Sequence, residues 1–598
     1  MLVRKQFWVR PGIASLPGGV PTVFWGIATN PTAAPQLPGP VIEARVGDTV
    51  EITLHNRLNE PVCLIFPGQD LTPDPVLDGE GRLISLDRPA DPGRSVVYSF
   101  PVSRPGTFRY EGGTGPERQV QMGLYGALIV RPADYDGADP SLRTAYGADT
   151  GSGYDVEALI ILSELDPAAH DIIPAGTPYN PLGYAPRYWL INGRPFPDCI
   201  APPYTSTQPL TARVHVLSGA RVLLRVINAG FLPHTLAIAG GPARVIAEDA
   251  WPRRNALLDA SYLKNAVTIG PGQTCDLVYT PPAGEQYLYD RELLHLVNSD
   301  EYPGGMMTII DVRATFPVNV PPDPSGLAAA AVVPGQVDLT WITNGSGADG
   351  FVIERRAGLA GAFLRVATLI GQATSYTDRA VEGNTTYTYR ILAFNAAGTS
   401  GYSNEATVTT PIVLEPPSNL VATAIAATEV KLTWRDNSLH EDGFRIERRT
   451  ASSLNFVEIA SVPANVTSYV DTGLHPGTTY TYRVRAYKAA ATSDYSNVST
   501  ATTPSIPNAP SNLVAEVLPE GRIRLTWDDN STNEDGFIIE RQDVSASFTE
   551  IARVGPNVTA YEDSPPYAWY LHVYRVRAYN AYGVSPPSNA VGPGIGPL

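Results

Sequence analysis

Asn437-Ser-Leu-His-Glu-Asp-Gly-Phe-Arg-Ile-Glu-Arg448 occurs three times over in this chain. Its counterparts are Asn344-Gly-Ser-Gly-Ala-Asp-Gly-Phe-Val-Ile-Glu-Arg355 and Asn530-Ser-Thr-Asn-Glu-Asp-Gly-Phe-Ile-Ile-Glu-Arg541. A tryptophan precedes each copy, and Trp341, Trp434 and Trp527 stand 93 residues apart. Gly350, Gly443 and Gly536 keep the same period. A repeat of that length means tandem domains rather than a solenoid of short units. Downstream of each tryptophan lies a strand of alternating character, as in Tyr480-Thr-Tyr-Arg-Val-Arg-Ala486. Alternation with period two is the mark of a half-buried strand. Glu441-Asp-Gly-Phe444 and Glu534-Asp-Gly-Phe537 read as turns entering a strand. Pro-rich seams at Pro321-Pro322, Pro416-Pro417 and Pro507 to Pro510 separate the copies.

Composition extends this reading to the whole chain. Of 598 residues, 53 are Gly and 56 are Pro, nearly a fifth of the total. That much proline excludes a helix bundle, and the absence of a strict Gly period excludes collagen. With 43% apolar residues the chain is too hydrophobic to be disordered. The fold class is all-β, in five tandem β-sandwiches. The expected segments are 1–145, 146–317, 318–412, 413–505 and 506–598.

The net charge of -16 leaves no basic stripe to neutralise phosphates, so a nucleic-acid partner is excluded. No apolar run approaches the roughly 18 residues of a membrane span. The start, Met1-Leu-Val-Arg-Lys-Gln-Phe-Trp8, has no apolar segment after its two cations and so shows no signal peptide. Cys63, Cys199 and Cys275 allow at most one bridge, Cys199 with Cys275, and buried free thiols are the other reading.

The C-terminal half resembles three fibronectin type III domains over about residues 321 to 595. The carriers are the early-strand tryptophan, the Tyr-x-Tyr-Arg-x-x-Ala strand, and the closing pairs Ser403-Asn404, Ser496-Asn497 and Ser588-Asn589. The resemblance puts Tyr387 and Tyr480 at a tyrosine corner, with His572 at that position in the third copy.

The other half, about residues 5 to 315, resembles a multicopper oxidase built of two cupredoxin domains. The first is carried by Leu37-Pro-Gly-Pro40 with Val46-Gly-Asp-Thr-Val50, and by Gly123-Leu-Tyr-Gly-Ala-Leu-Ile-Val130. The second is carried by Tyr188-Trp-Leu-Ile-Asn-Gly193, Phe231-Leu-Pro-His-Thr-Leu236 and Tyr302-Pro-Gly-Gly-Met306. The resemblance implies a type 1 copper bound by His, Cys, His and a weak Met, and a trinuclear cluster bound by His-x-His motifs. Soft thiolate and imidazole donors suit copper, and alternating residues on a strand face one way.

Most of those positions have changed. Ile65 and Pro67 stand for the first His-x-His, Glu111 and Gly113 for the second. His234-Thr-Leu-Ala-Ile-Ala-Gly240 keeps its first histidine but has Ala237 and Ala239 at the cluster positions. The last motif aligns near Asp290-Arg-Glu-Leu-Leu-His295, where no cysteine is present. The half contains only His55, His170, His215, His234 and His295, fewer than the family's cluster alone uses. No catalytic or cofactor-binding residue is therefore assigned. His234, His295 and Met306 are weak candidates for a residual copper site, set against an ordinary packing role. The acidic stretch with Asp70, Asp74, Asp78 and Glu80 lacks EF-hand spacing and reads as a solvated loop.

Two functions follow as expectations. The first is a non-catalytic structural or interaction protein, outside the cell or on its surface. It would bind protein partners or self-associate, as a homo-oligomer or filament, through β-sandwich surfaces and edge strands. Gln6-Phe-Trp-Val9 is the strand to donate to a neighbour. The second is a copper-dependent oxidoreductase or a copper-binding protein.

Overall fold

The structure is a computed structural model describing residues 1–203, 207–299, 301–358, 360–412, 414–543, 546–566 and 572–594. The first residue of the fourth expected segment, 413, and the last four of the fifth, 595–598, lie outside these. Strand occupies 49% and helix 4%, so the all-β reading holds. The chain forms two compact units, Met1–Pro411 and Ile412–Leu598.

The first unit opens with a sandwich of two four-stranded sheets. One runs Val20–Ala28, Leu2–Leu16, Thr49–Asn56, Ser95–Pro101, and the other Ile42–Arg45, Tyr125–Arg131, Gly106–Gly112, Leu64–Ile65. Thr49–Asn56 shows why the sheets close face to face. Val50, Ile52 and Leu54 are fully buried, while Thr49, Glu51 and Thr53 face outward. Phe7, Val9, Trp25, Phe100 and Tyr110 complete this core. Phe7, Trp8 and Val9 are buried because Leu2–Leu16 pairs in parallel with Thr49–Asn56 and antiparallel with Val20–Ala28. The expectation that Gln6–Val9 is free to be donated is thus corrected: Trp8 and Val9 are paired on both edges within the chain, and Gln6 and Phe7 on the edge facing Thr49–Asn56.

A second sandwich pairs the sheet centred on Val156–Leu165, Val222–Asn228 and Thr274–Tyr279 with one running Val214–Leu217, Met307–Arg313, Gly284–Asp290, His234–Ile238, Ala266–Ile269. A buried ion network joins the two sandwiches. Arg131 of the first meets Glu157 of the second at 2.7 Å. Arg225 contacts Glu157 and lies 3.0 Å from Asp276. Asp276 also accepts from Thr107 and Tyr146, each at 2.7 Å. Buried charges persist when paired and hydrogen-bonded; here Glu157 and Asp276 are engaged, while Arg131 Nε and Arg225 Nη2 have no partner.

The first repeat belongs to this same unit, so the Pro321-Pro322 seam is not a loose joint. Its sheets run Ser325–Ala330, Val337–Ile342, Ser375–Asp378 and Leu364–Ile370, Gly350–Ala357, Thr386–Asn395, Gly398–Tyr402. The tip of the Leu2–Leu16/Val20–Ala28 hairpin docks on it. Gly18 N donates to Val366 O at 3.0 Å, and Ser15 Oγ donates to Arg365 O at 2.6 Å. Arg365 pairs with Asp198 at 2.9 Å, both buried. Ala201 packs with Val352, Leu392 and Phe394. Sequence spacing carries no trace of this dock because its partners lie more than 150 residues apart.

The second unit holds the other two repeats, built alike. Trp434 and Trp527 pack on Phe444 and Phe537 at ring separations of 5.8 and 5.6 Å. Asn497 Oδ1 accepts from Leu420 N, and its Nδ2 donates to Leu420 O, both at 2.9 Å. Asn589 does the same with Leu513, which explains the closing Ser-Asn pairs. The tyrosine corner forms as expected: Tyr480 Oη accepts from His475 N at 3.0 Å, and Tyr387 Oη from Glu382 N at 2.9 Å. In the third copy His572 Nδ1 instead meets Asp543 Oδ1 at 2.6 Å. The periodic glycine also has a physical cause. A Cβ on Gly443 would collide with Val462 O of the neighbouring strand, and one on Gly536 with Val554 O. Gly443→Ala should therefore destabilise the second unit in urea unfolding. An unobstructed interior site would instead gain about 0.5–1 kcal/mol from the same change.

Candidate functional site

The two histidines singled out by sequence do meet, in the second sandwich. His234 opens the strand His234–Ile238, and Asp290 closes the adjacent strand Gly284–Asp290. His295 lies in the short 3-10 turn Leu293–Leu296. Asp290 Oδ2 accepts from His234 Nδ1 at 2.7 Å and from His295 Nδ1 at 2.8 Å. His234 Nε2 faces Glu164 Oε2 at 3.2 Å. Glu164 comes from the opposite sheet, on Val156–Leu165, and its Oε1 accepts from Tyr184 Oη at 2.8 Å and Leu232 N at 3.1 Å. Trp189 stacks on His295 at 4.9 Å. Gly230 is required beside Glu164, because a Cβ there would overlap its carboxylate.

Both ring nitrogens of His234 face carboxylates, which accept only, so the ring donates from both and is an imidazolium. Burial pulls its pKa down. The hydrogen bonds to Asp290 and Glu164, together with their charges, more than offset this and carry it up to about 9. Burial raises the Asp290 pKa, but the hydrogen bonds from His234 and His295 outweigh it and hold the carboxyl well below its ordinary range.

Copper fits this donor set poorly. A metal ligand needs a neutral imidazole with a free lone pair, and His234 has none to give without losing a carboxylate partner. No thiol enters the site. Cys275 lies on Thr274–Tyr279, Cys199 Sγ donates to Met307 O at 3.1 Å, and all three cysteines are free and buried. Of the two readings of Cys199 and Cys275, the structure holds the buried free thiols and not the bridge, with burial pushing both pKa values up to about 12. Met306 is fully buried in the apolar core, and its backbone bonds to Asp290 N and His295 O. One observation runs the other way: ligand atoms of His234, Asp290 and His295 all lie within 4.8 Å of one another.

The trinuclear positions are filled by groups that cannot ligate copper through nitrogen. Ile65 pairs across the sheet with Glu111, which is engaged by Arg109 at 2.8 Å. At Gly113 a Cβ would come within 2.8 Å of Cys63 Sγ and Ile65 Cγ2, so no larger side chain fits. Ala237 faces Ala266 and Tyr289 on its two neighbouring strands. The remaining histidines are engaged elsewhere. His170 is buried between Val23 O and Gln121 O, His55 stacks on Trp8, and His215 lies 3.5 Å from Asp311. Asp78 of the acidic loop is satisfied locally by Glu80 N and Arg82.

Sequence reasoning missed Glu164 and gave Asp290 no role. The available signal for Glu164 was a carboxylate in an otherwise apolar run, Leu159-Ile-Ile-Leu-Ser-Glu-Leu165.

A multicopper oxidase family model matches residues 25–134, and a fibronectin type III domain model matches 415–502. Laccase-25 of Oryza sativa subsp. japonica is 30% identical over 261 residues, covering 42% of this chain and 40% of that protein. L-ascorbate oxidase of Cucurbita maxima is 34% identical over 175 residues, covering 29% of this chain and 28% of that protein. Exoglucanase B of Cellulomonas fimi is 31% identical over 303 residues, covering 47% of this chain and 26% of that protein. The chain thus spans less than half the length of these curated relatives. It carries a multicopper-oxidase-like frame of cupredoxin sandwiches in its first half and fibronectin type III structure in its second.

Proposed function

We propose that this protein is a non-catalytic structural or interaction protein, acting outside the cell or on its surface, on a multicopper-oxidase frame whose copper chemistry has been replaced. The observation that carries this reading is the double engagement of His234 by Glu164 and Asp290. Where the frame would hold an electron-accepting metal, the chain places a buried salt-bridge network that ties together strands of both sheets. A rigid first unit, with the first repeat locked onto the sandwiches, suits a role in presenting surfaces. Partners and self-association through those surfaces are part of the proposal. Among the described residues no helix is long and apolar enough to cross a membrane.

A second reading, a copper-binding protein or oxidase, draws on the proximity of His234, Asp290 and His295. Copper loading followed by dialysis and metal analysis separates the two. We expect well below one copper per chain and no turnover of phenolic substrates, since metal catalysis needs a filled site. One tightly held copper that His234→Ala removes would establish the second reading instead.

A further inference from the structure

Trp251 is 64% exposed, yet its ring is held in place. It opens the short strand Trp251–Pro252, opposite Glu248 at the end of Ala243–Glu248. The two residues between, Asp249 and Ala250, have φ of 49° and 58°, the left-handed pair of a tight hairpin turn. Ala250 is 1% exposed and lies against Gly106 of the first sandwich, where a Cβ would come 2.5 Å from its methyl group. Asp249 Oδ1 accepts from Thr274 N at 3.0 Å. The guanidinium of Arg104 covers one face of the indole at 4.2 Å and leaves the other to solvent. An exposed tryptophan on a clamped turn is a pre-formed stacking platform, because little ordering entropy remains to be lost on binding.

The platform stands at one of two adjoining cavities. The smaller, about 260 Å³, is walled by Gly68, Arg104 and Phe108 of the first sandwich and by Trp251 and Gly272 of the second. The larger, about 390 Å³, is lined by Glu248, Arg253, Tyr262, Lys264 and Thr268. Asp249, Gln273 and Thr274 line both, so one ligand can span the two. Their charges are unbalanced. Glu248 engages Arg253, and Glu111 engages Arg109. Among the described residues, Arg104 and Lys264 have no carboxylate within 4.0 Å. Arg104 has one long bond, Nη2 to Gly68 O at 3.5 Å, and its Nη1 is buried with no partner. Lys264 Nζ lies 6.0 Å from the centre of the Tyr262 ring. In a chain of net charge -16, two unneutralised cations beside aromatic rings suit an anion with a flat apolar face. A pyranose ring carrying a carboxylate has both features. Its C–H face stacks on an aromatic ring, its hydroxyls can meet Asp249 and Gln273, and its carboxylate pairs with a guanidinium or ammonium group. We propose that these cavities bind a polyuronate, a polysaccharide of carboxylated pyranose rings, with one ring stacked on Trp251 and the carboxylates of the chain answered by Arg104 and Lys264. The assignment does not rest on the loss of copper chemistry, and it adds a saccharide ligand to the protein partners proposed above.

Titration calorimetry of the full chain with hexamers of galacturonate, mannuronate and glucuronate tests this. We expect one site per chain for at least one of the three, with an affinity that falls as salt rises. W251A should lose at least about tenfold in affinity, as removal of a central aromatic anchor does. K264Q should lose about twofold to fivefold, the scale of an exposed charge pair. Trp251 and Lys264 are both exposed, so each variant should keep the parent's melting transition, which circular dichroism verifies. The methyl-esterified hexamer keeps the rings without the charge and should bind more weakly than the acid. The proposal is overturned if none of the three hexamers binds at about 1 mM, or if W251A binds as the parent does. It is equally overturned if the methyl ester, or a polyglutamate of equal charge, binds as tightly as the best hexamer.

Discussion

Arg225→Met should lower the stability of the first unit by about 3–5 kcal/mol, the usual cost of breaking a buried ion pair by removing one member. Arg225 and Asp276 are each 1% exposed, so water cannot replace the lost guanidinium. The change strands the Asp276 carboxylate, while Glu157 retains Arg131. Adding Asp276→Asn removes the orphaned charge, and the double variant should recover part of the loss. Calorimetry of the full chain, following the transition of the 1–411 unit, measures both. A loss below about 1 kcal/mol, the scale of an exposed pair, would mean that this network does not hold the two sandwiches together.

The second large effect is a pH dependence set by His234. Its folded pKa, about 9, lies above the unfolded value of 6.5. The folded state therefore binds the proton more tightly. The resulting stability is fully present below pH 6.5 and is lost as pH rises through 9. The size is about 3 kcal/mol, since each tenfold gain in proton affinity is worth about 1.4 kcal/mol. The advantage of the parent chain over His234→Gln should thus be largest near pH 6 and shrink steadily towards pH 9.5. Comparing the two chains cancels the contribution of Cys199 and Cys275, whose raised pKa values also withdraw stability as pH climbs above about 9. Asp290 acts at the other end: its lowered pKa gives stability present above pH 3.8 and lost on acidification. A stability difference flat from pH 6 to 9.5 would show that folding leaves the His234 pKa near 6.5, so that the ring is neutral above that pH, and would reopen the site to a metal.

These two networks explain why the site was only half legible. The sequence located His234 and His295, because a resemblance supplies positions, and it located Ile65, Glu111, Gly113, Ala237 and Ala239 where that resemblance expects histidines. It could not say which groups His234 and His295 would meet. Glu164 lies 70 residues from His234 in the chain, and the sandwich brings them to 3.2 Å. His295 lies five residues after Asp290, and a 3-10 turn there brings its ring back to that carboxylate.

The repeats divide in the same way. Period-two alternation, the 93-residue spacing and the proline seams by themselves determined that the chain is all-β and tandem, because these patterns depend only on neighbours along a strand. Only the tertiary structure decided that the first repeat joins the first unit, through Asp198, Ala201 and the hairpin tip at Gly18. Only it decided that His234 is held between two carboxylates. Each depends on groups brought together from different elements, and burial, which makes an unpaired charge costly and a paired one firm, is a property of the packed chain.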